Sequence, residues 1–454
     1  MPVNGFHKLT TTLSAFILKA NNNPDFAAAI VIGYGLMAFQ VVVQILLVPL
    51  YLTAFGTYRF GALMILMGFI GLAFALVGAL YTVMLRLFGE AINAQDDGKL
   101  SVLYFSSKLL SIGIGLICGI LFITIEFLRP VFFDDAPPEF RGEILGALSL
   151  SILHLVLLCE LSVEQSILAA KGRQAAANLV TLTGLVIFAI TVVPVLLLDG
   201  GLIEVMVCFI VADIGSRVFA YSVSRRYLHI RLSAPFSQYG AAVRDILSSQ
   251  AHRYFAFTAM TVVLQADVLI VATIGGALAA AKFVLVWKIA EMLTLVISRV
   301  TQHLQVEFVG MDLRGERVRL IRIYRKIYGA LFIAALSLGL LYGLFGHWIV
   351  ALWVGQDAVP GETWAFGLAG LTILWLGIAR LPITLALSLD QITPLVKLTG
   401  LELAAKLLVI YILFPQWGYL APMIAISAAH LLGIAYGYYA LGRLTLLQPV
   451  KARV

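Results

Sequence analysis

Charge is what this 454-residue chain has least of. Only 12% of its residues are Asp, Glu, Lys or Arg, against 61% apolar. A soluble domain carries roughly a quarter charged residues, so a water-facing surface of ordinary size is excluded. Cysteine is scarce too. Cys118, Cys159 and Cys208 all fall in apolar runs, which excludes a disulfide framework and a cysteine metal site. Seven histidines are scattered without metal spacing. No Ser/His/Asp elbow, phosphate loop or ATP motif occurs, and an enzyme is not expected. The net charge of +7 has no basic, aromatic-interleaved domain around it, so a nucleic-acid partner is excluded as well.

What is present is a succession of apolar runs, each about 20 residues, the length that crosses about 30 Å of hydrocarbon as a helix. Long unbroken runs favour helices over the alternating pattern of barrel strands. About twelve spans are expected, near 27–50, 61–85, 103–127, 145–169, 176–198, 202–224, 254–275, 280–304, 328–354, 364–388, 396–414 and 419–441. Phe6 to Ala20 mixes apolar and basic residues, which suits either an interfacial amphipathic helix or a frayed tail. The first apolar run follows a polar stretch and is long enough to span, so no cleavable signal peptide is expected.

Lys and Arg alternate by side. Placing the N-terminus inside puts the basic runs Arg225–Arg253 and Arg314–Lys326 in the cytoplasm, while only Arg59, Arg129 and Arg141 face out. The positive-inside bias therefore sets both termini in the cytoplasm of a multi-pass membrane protein.

The two halves repeat. Leu182-Thr183-Gly184-Leu185 recurs as Leu398-Thr399-Gly400-Leu401, and Gly201, Met206, Tyr221 and Arg226 recur as Gly418, Met423, Tyr438 and Arg443 at constant spacing. An even number of crossings per repeat makes the repeats parallel, related by an axis along the membrane normal. The expected architecture is all-α and integral to the membrane, with two six-helix lobes related by a pseudo-two-fold. Its expected segments are 1–26 as a cytoplasmic N-terminal segment, 27–224 as the N-lobe, 225–253 as a basic linker, 254–441 as the C-lobe and 442–454 as a tail.

Gln44 to Leu52 followed by Phe55-Gly56-Thr57-Tyr58-Arg59-Phe60-Gly61, then Gln265 to Ile270, Gly276 to Glu307, and Pro415-Gln416-Trp417-Gly418-Tyr419, resemble motifs of the polysaccharide flippases of the multidrug/oligosaccharidyl-lipid/polysaccharide exporter superfamily. The resemblance implies alternating access and the translocation of undecaprenyl-diphosphate-linked oligosaccharide across the bacterial cytoplasmic (inner) membrane. It also implies other polysaccharide assembly proteins as partners alongside the lipid bilayer. The competing expectation is a drug or small-solute cation antiporter of the same superfamily. A membrane polymerase or ligase ranks lower, because the outside loops are short.

Ionisable residues inside spans are costly, and each is a candidate for function. Lys288, Glu291 and Arg299 share one face of span eight. With Lys282, Arg59 and Arg380 they form the candidate contacts for an anionic substrate. Asp267, Glu160, Glu164 and Glu291 are the candidates for coupling to H+ or Na+; no other cofactor is expected. Asp213 with Arg217, and Glu402 with Lys406, are spaced i,i+4 and are expected to pair locally. Asp267 has no such neighbour, and Lys288, a bound cation or a hydroxyl each suit it.

Overall fold

The computed structural model describes residues 24–128, 132–133, 136–227, 236–249, 266–389 and 391–447. Residues 6–20 lie outside this range, as do 254–265 at the start of span seven. All regular structure among the described residues is helical. The helices are α1 (Pro24–Asn93), α2 (Asp97–Leu128), α3 (Pro138–Ala170), α4 (Gln174–Leu197), α5 (Leu202–Tyr227), α6 (Phe236–Ser249), α7 (Asp267–Leu313), α8 (Arg317–Val354), α9 (Trp364–Ser388), α10 (Ile392–Trp417), α11 (Ala421–Ala429) and α12 (Ala435–Leu447). A π-helical turn, His430–Ile434, joins the last two.

Eight helical stretches among the described residues are long and apolar enough to cross a membrane. Two of them, Ala28–Phe74 and Thr393–Arg443, run 47 and 51 residues. At 1.5 Å per residue each exceeds about 70 Å, enough for two crossings. The first breaks at Gly56 (φ 76°, ψ 174°), and the second at Gly418 (φ 53°). The charged residues of α5 are Glu204, Asp213, Arg217 and the Arg225-Arg226 pair of its last turn.

Two glycines mark the repeat in the backbone. Gly56 splits α1, and Gly276 (φ 69°, ψ −170°) splits α7 near its start. Both angles lie where a Cβ collides with the flanking carbonyl, a region that only glycine occupies without strain. Just past Gly56, Gly61 packs so tightly that a Cβ would overlap the Ala277 carbonyl oxygen.

The chain divides into two compact units. The first comprises Met1–Leu50, Ala73–Thr124 and Gly142–Tyr254; the second comprises Tyr51–Leu72, Ile125–Arg141 and Phe255–Val454. In the first, Leu80, Met84, Phe88, Leu103, Val163 and Ile167 form a core. The segment expected as a plain basic linker contributes to that core. α6 turns one face inward, burying Tyr239 and Ile246, and Ser106 Oγ donates to the Tyr239 carbonyl at 3.1 Å. In the second unit, α8 and α9 meet at glycines: a Cβ on Gly339 would sit 2.5 Å from the Gly370 carbonyl oxygen. The Tyr342 hydroxyl donates to the Val286 carbonyl at 2.6 Å, tying α8 to α7.

Replacing Gly276 with Ala forces a Cβ into the glycine-only region. It should destabilise the protein by about 1–3 kcal/mol. Gly400→Ala, in an open helical position, should be neutral or slightly stabilising. Thermal unfolding of the two variants in detergent separates these outcomes.

Candidate functional site

Spans four and six run in the same direction, so α3 and α5 lie side by side in register. Three polar contacts climb that seam. His154 Nδ1 meets Asp213 Oδ2 at 2.6 Å, Arg217 Nη2 meets Glu160 Oε2 at 2.5 Å, and Ser224 Oγ donates to Glu164 Oε2 at 2.9 Å. From His154 to Glu164 the seam rises about 15 Å, half the hydrocarbon thickness. His154, Glu160, Glu164, Asp213 and Ser224 are all buried.

Glu160 and Glu164 stand i,i+4 and repel one another. At about 6 Å and an effective dielectric near 20, two like charges cost about 3 kcal/mol, so a cation must lie between them. α2 supplies it. The Lys108 ammonium bridges both carboxylates, 2.7 Å from Glu164 Oε1 and in contact with Glu160 Oε1. Tyr104, one turn earlier on α2, donates its hydroxyl to Glu164, and its ring lies 4.8 Å beneath the Lys108 ammonium. Glu160 is thus held by Lys108 and Arg217, and Glu164 by Lys108, Tyr104 and Ser224.

The second unit has its own buried polar cluster. Lys406 Nζ meets Asp267 Oδ1 at 2.6 Å, with Asp267 opening α7, where the helix dipole favours a carboxylate. The Tyr438 hydroxyl donates to Glu402 Oε2 at 2.5 Å. His430 packs against Tyr438 and Trp375, its Nε2 3.8 Å from Glu402 Oε1, and Arg380 lies within electrostatic reach of both Glu402 and Tyr438. The π-helical turn, with Gly433 at φ 118°, sets His430 into this cluster; such turns concentrate at functional sites.

The expected local pairs are corrected. Asp213 turns to His154 rather than Arg217, and Lys406 turns to Asp267 rather than Glu402, because a neighbouring helix presents a partner at shorter range than the i,i+4 residue does. Lys108, cytoplasmic by hydropathy, lies three turns inside α2 and bonds buried carboxylates.

The candidate substrate cations are scattered. Lys288 Nζ bonds Glu291 Oε2 at 2.9 Å on its own helix. The Arg59 guanidinium lies 4.3 Å over the Phe140 ring, and the Lys282 ammonium 6.0 Å from the Tyr419 ring. The side chain of Arg299 lies outside the described part of the structure. Near Lys282, the Tyr419 hydroxyl donates to Glu362 at 2.7 Å, and this hydrogen bond holds the loop carboxyl below the usual range.

His154, Tyr104, Lys108, His430 and Tyr438 were not among the sequence candidates. The signal for the first unit was the helical spacing of Tyr104 and Lys108, which puts a hydroxyl and a cation on one face.

No family matches this sequence, and no curated protein does. Solved structures do match. A multidrug-resistance transporter of the MATE family in the MOP superfamily, in its inward-facing conformation, superposes with a TM-score of 0.74 at 15% identity, covering 91% of this chain and 96% of that one. A MOP superfamily transporter from Pyrococcus furiosus, described as having a reversed pocket polarity that suggests a different function, gives 0.67 at 16%, covering 92% and 95%. A mutant of the Vibrio cholerae MATE transporter VcmN gives 0.63 at 14%, covering 93% and 98%. The fold is therefore the all-α, roughly twelve-helix membrane fold with two pseudo-symmetric lobes seen in these transporters.

The polysaccharide-flippase expectation is overturned here, together with its lipid-linked oligosaccharide substrate and its polysaccharide-assembly partners. The structures that share the fold are multidrug and other MOP transporters, not polysaccharide flippases. Among the described cations, Lys108, Arg217, Lys288 and Lys406 are each engaged by a carboxylate. These cations do not form a positive lining for a diphosphate.

Removing the central cation tests the seam. Lys108→Met leaves Glu160 and Glu164 facing each other and should destabilise the protein by about 3–5 kcal/mol. Adding Glu160→Gln should restore much of that loss. A double-mutant cycle on thermal unfolding measures the coupling; additive effects contradict the bridge.

Proposed function

We propose that this protein is a secondary transporter of the inner membrane that exchanges small organic cations for protons by alternating access. The charge balance of the α3–α5 seam carries this reading. Glu160, Glu164 and Asp213 bring three negative charges, and Lys108 and Arg217 bring two fixed positive ones. The last unit depends on whether the His154 imidazole, 2.6 Å from Asp213, carries a second proton. With His154 protonated the seam is neutral; with it neutral the seam is one charge negative, and burial makes that charge costly. A proton or an organic cation satisfies the deficit equally well, so each displaces the other. Mutually exclusive occupancy of one negative site is the minimal requirement for exchange.

The multidrug transporters that share the fold support a small-molecule substrate over a lipid-linked oligosaccharide. Glu160 and Glu164 keep their proposed place in coupling as the carboxylates whose paired state sets the charge of the seam. Asp267, paired with Lys406, has a parallel role in the second unit, and Glu291 stands in the pair with Lys288.

The test is transport by the reconstituted protein. Proteoliposomes with an acidic lumen should accumulate a fluorescent organic cation such as ethidium, with the lumen alkalinising as it enters. Asp213→Asn should cut the rate at least tenfold while the protein stays monodisperse. Uptake that ignores the pH gradient, or follows a sodium gradient equally well, contradicts proton exchange.

A further inference from the structure

α8 carries two features on one face, and neither is used by the seam or by the second-unit cluster. At its cytoplasmic end, Arg322, Arg325 and Lys326 are exposed at i, i+3 and i+4 and have no carboxylate within ion-pair distance among the described residues. Their nearby acids are already engaged: Glu316 by Arg314 at 2.7 Å and Arg319 at 2.8 Å, and Asp312 by Arg317 at 3.4 Å. The first turn of α8 holds no acidic residue either. Three neighbouring cations call for an external anion.

Further along the same face the surface turns apolar. Ile333, Leu340 and Leu344 are exposed. Leu336, Gly339 and Gly343 of α8, with Gly367, Gly370 and Leu374 of α9, line an open groove of about 230 Å³. The groove exists because glycines replace side chains where the two helices cross; the Gly339–Gly370 approach leaves no room for a Cβ. From Arg325 to Leu336 is about 16 Å along the helix. One leaflet of hydrocarbon is about 15 Å deep, so a chain hanging from a headgroup at Arg325 ends at the near edge of the groove.

We propose that this face is a binding site for one acidic glycerophospholipid of the cytoplasmic leaflet, with its phosphate on Arg322, Arg325 and Lys326 and an acyl chain ending against Leu336 at the near edge of the α8–α9 groove. The two halves are independent in chemistry, one ionic and one apolar, yet they stand on one helix face at the spacing of a single lipid molecule. The inner leaflet supplies the anion, and a juxtamembrane basic cluster is the usual means of holding it. Guanidinium groups engage a phosphate through paired N–H donors, which a zwitterionic headgroup answers less well because its own cation lies alongside. The site is distinct from transport: none of these residues touches the charged seam.

The experiment uses the full chain, purified, delipidated and examined by native mass spectrometry with added dioleoyl phosphatidylglycerol or dioleoyl phosphatidylcholine. The protein should retain the acidic lipid at least fivefold better. The triple variant R322Q/R325Q/K326Q, altered only at exposed positions, should bring that preference below twofold. Leu336→Trp, which fills the near edge of the groove, should weaken retention of the dioleoyl lipid at least threefold and leave binding of dihexanoyl phosphatidylglycerol unchanged. Equal retention of the two dioleoyl lipids by the unaltered protein overturns the proposal. So does a triple variant that keeps its preference, a Leu336→Trp variant that retains the long-chain lipid in full, or dimers in place of lipid adducts.

Discussion

An ionised side chain in hydrocarbon has to be neutralised by the protein itself, and the bridge from Lys108 to Glu160 and Glu164 is where this constraint governs the fold most directly. The two carboxylates cannot share a helix face unaided. Lys108 must reach them, which fixes α2 against α3. Arg217 must reach Glu160, and Asp213 must reach His154, which fixes the register of α5 against α3. The cores of the first unit then pack around that register, with Val163 and Ile167 facing α1 and α2, and Leu161 and Leu168 facing Ala177 and Val180 of α4 and Ala220 of α5. The second unit solves the same problem with other residues. Lys406 closes on Asp267, and Glu402 takes Tyr438, with His430 and Arg380 beside it. Breaking a buried pair by removing one partner costs several kcal/mol, so these contacts specify helix neighbours as firmly as apolar packing does.

Much of the architecture is legible in the sequence. Low charge, runs of spanning length and the crowding of Lys and Arg on one side are local properties, and hydrocarbon punishes departures from them. The repeat is legible as well, and the backbone repeats its own device: Gly56 and Gly276 break the early helix of each half in the same glycine-only conformation. The partners of the span charges are not legible. Spacing along one helix suggests Asp213 with Arg217 and Glu402 with Lys406. In both cases a cross-helix partner at 2.6 Å prevails, because which helices lie side by side is a tertiary fact. Lys108 is hidden for a related reason. α2 begins at Asp97, ahead of the apolar run, so a residue that reads as cytoplasmic by hydropathy lies well inside the helix.

Substrate class is the least legible property. The segments that resemble polysaccharide flippases, such as Phe55 to Gly61 and Pro415 to Tyr419, are places where helices turn or pack closely. Other transporters of the same fold share that need and differ in what they carry. The chemistry of a cargo resides instead in how charges are partnered. In the α3–α5 seam both cations are engaged by carboxylates, and a buried imidazole–carboxylate pair stands beside them.

The central claim is that one negative charge in the α3–α5 seam is satisfied by a proton or by an organic cation, but not by both. Proton release on substrate binding reads this directly. In weakly buffered detergent solution with a pH indicator, adding ethidium to the purified protein should release up to one proton per molecule bound, and Asp213→Asn should abolish the release. Binding without proton release, or release that persists in Asp213→Asn, would contradict it.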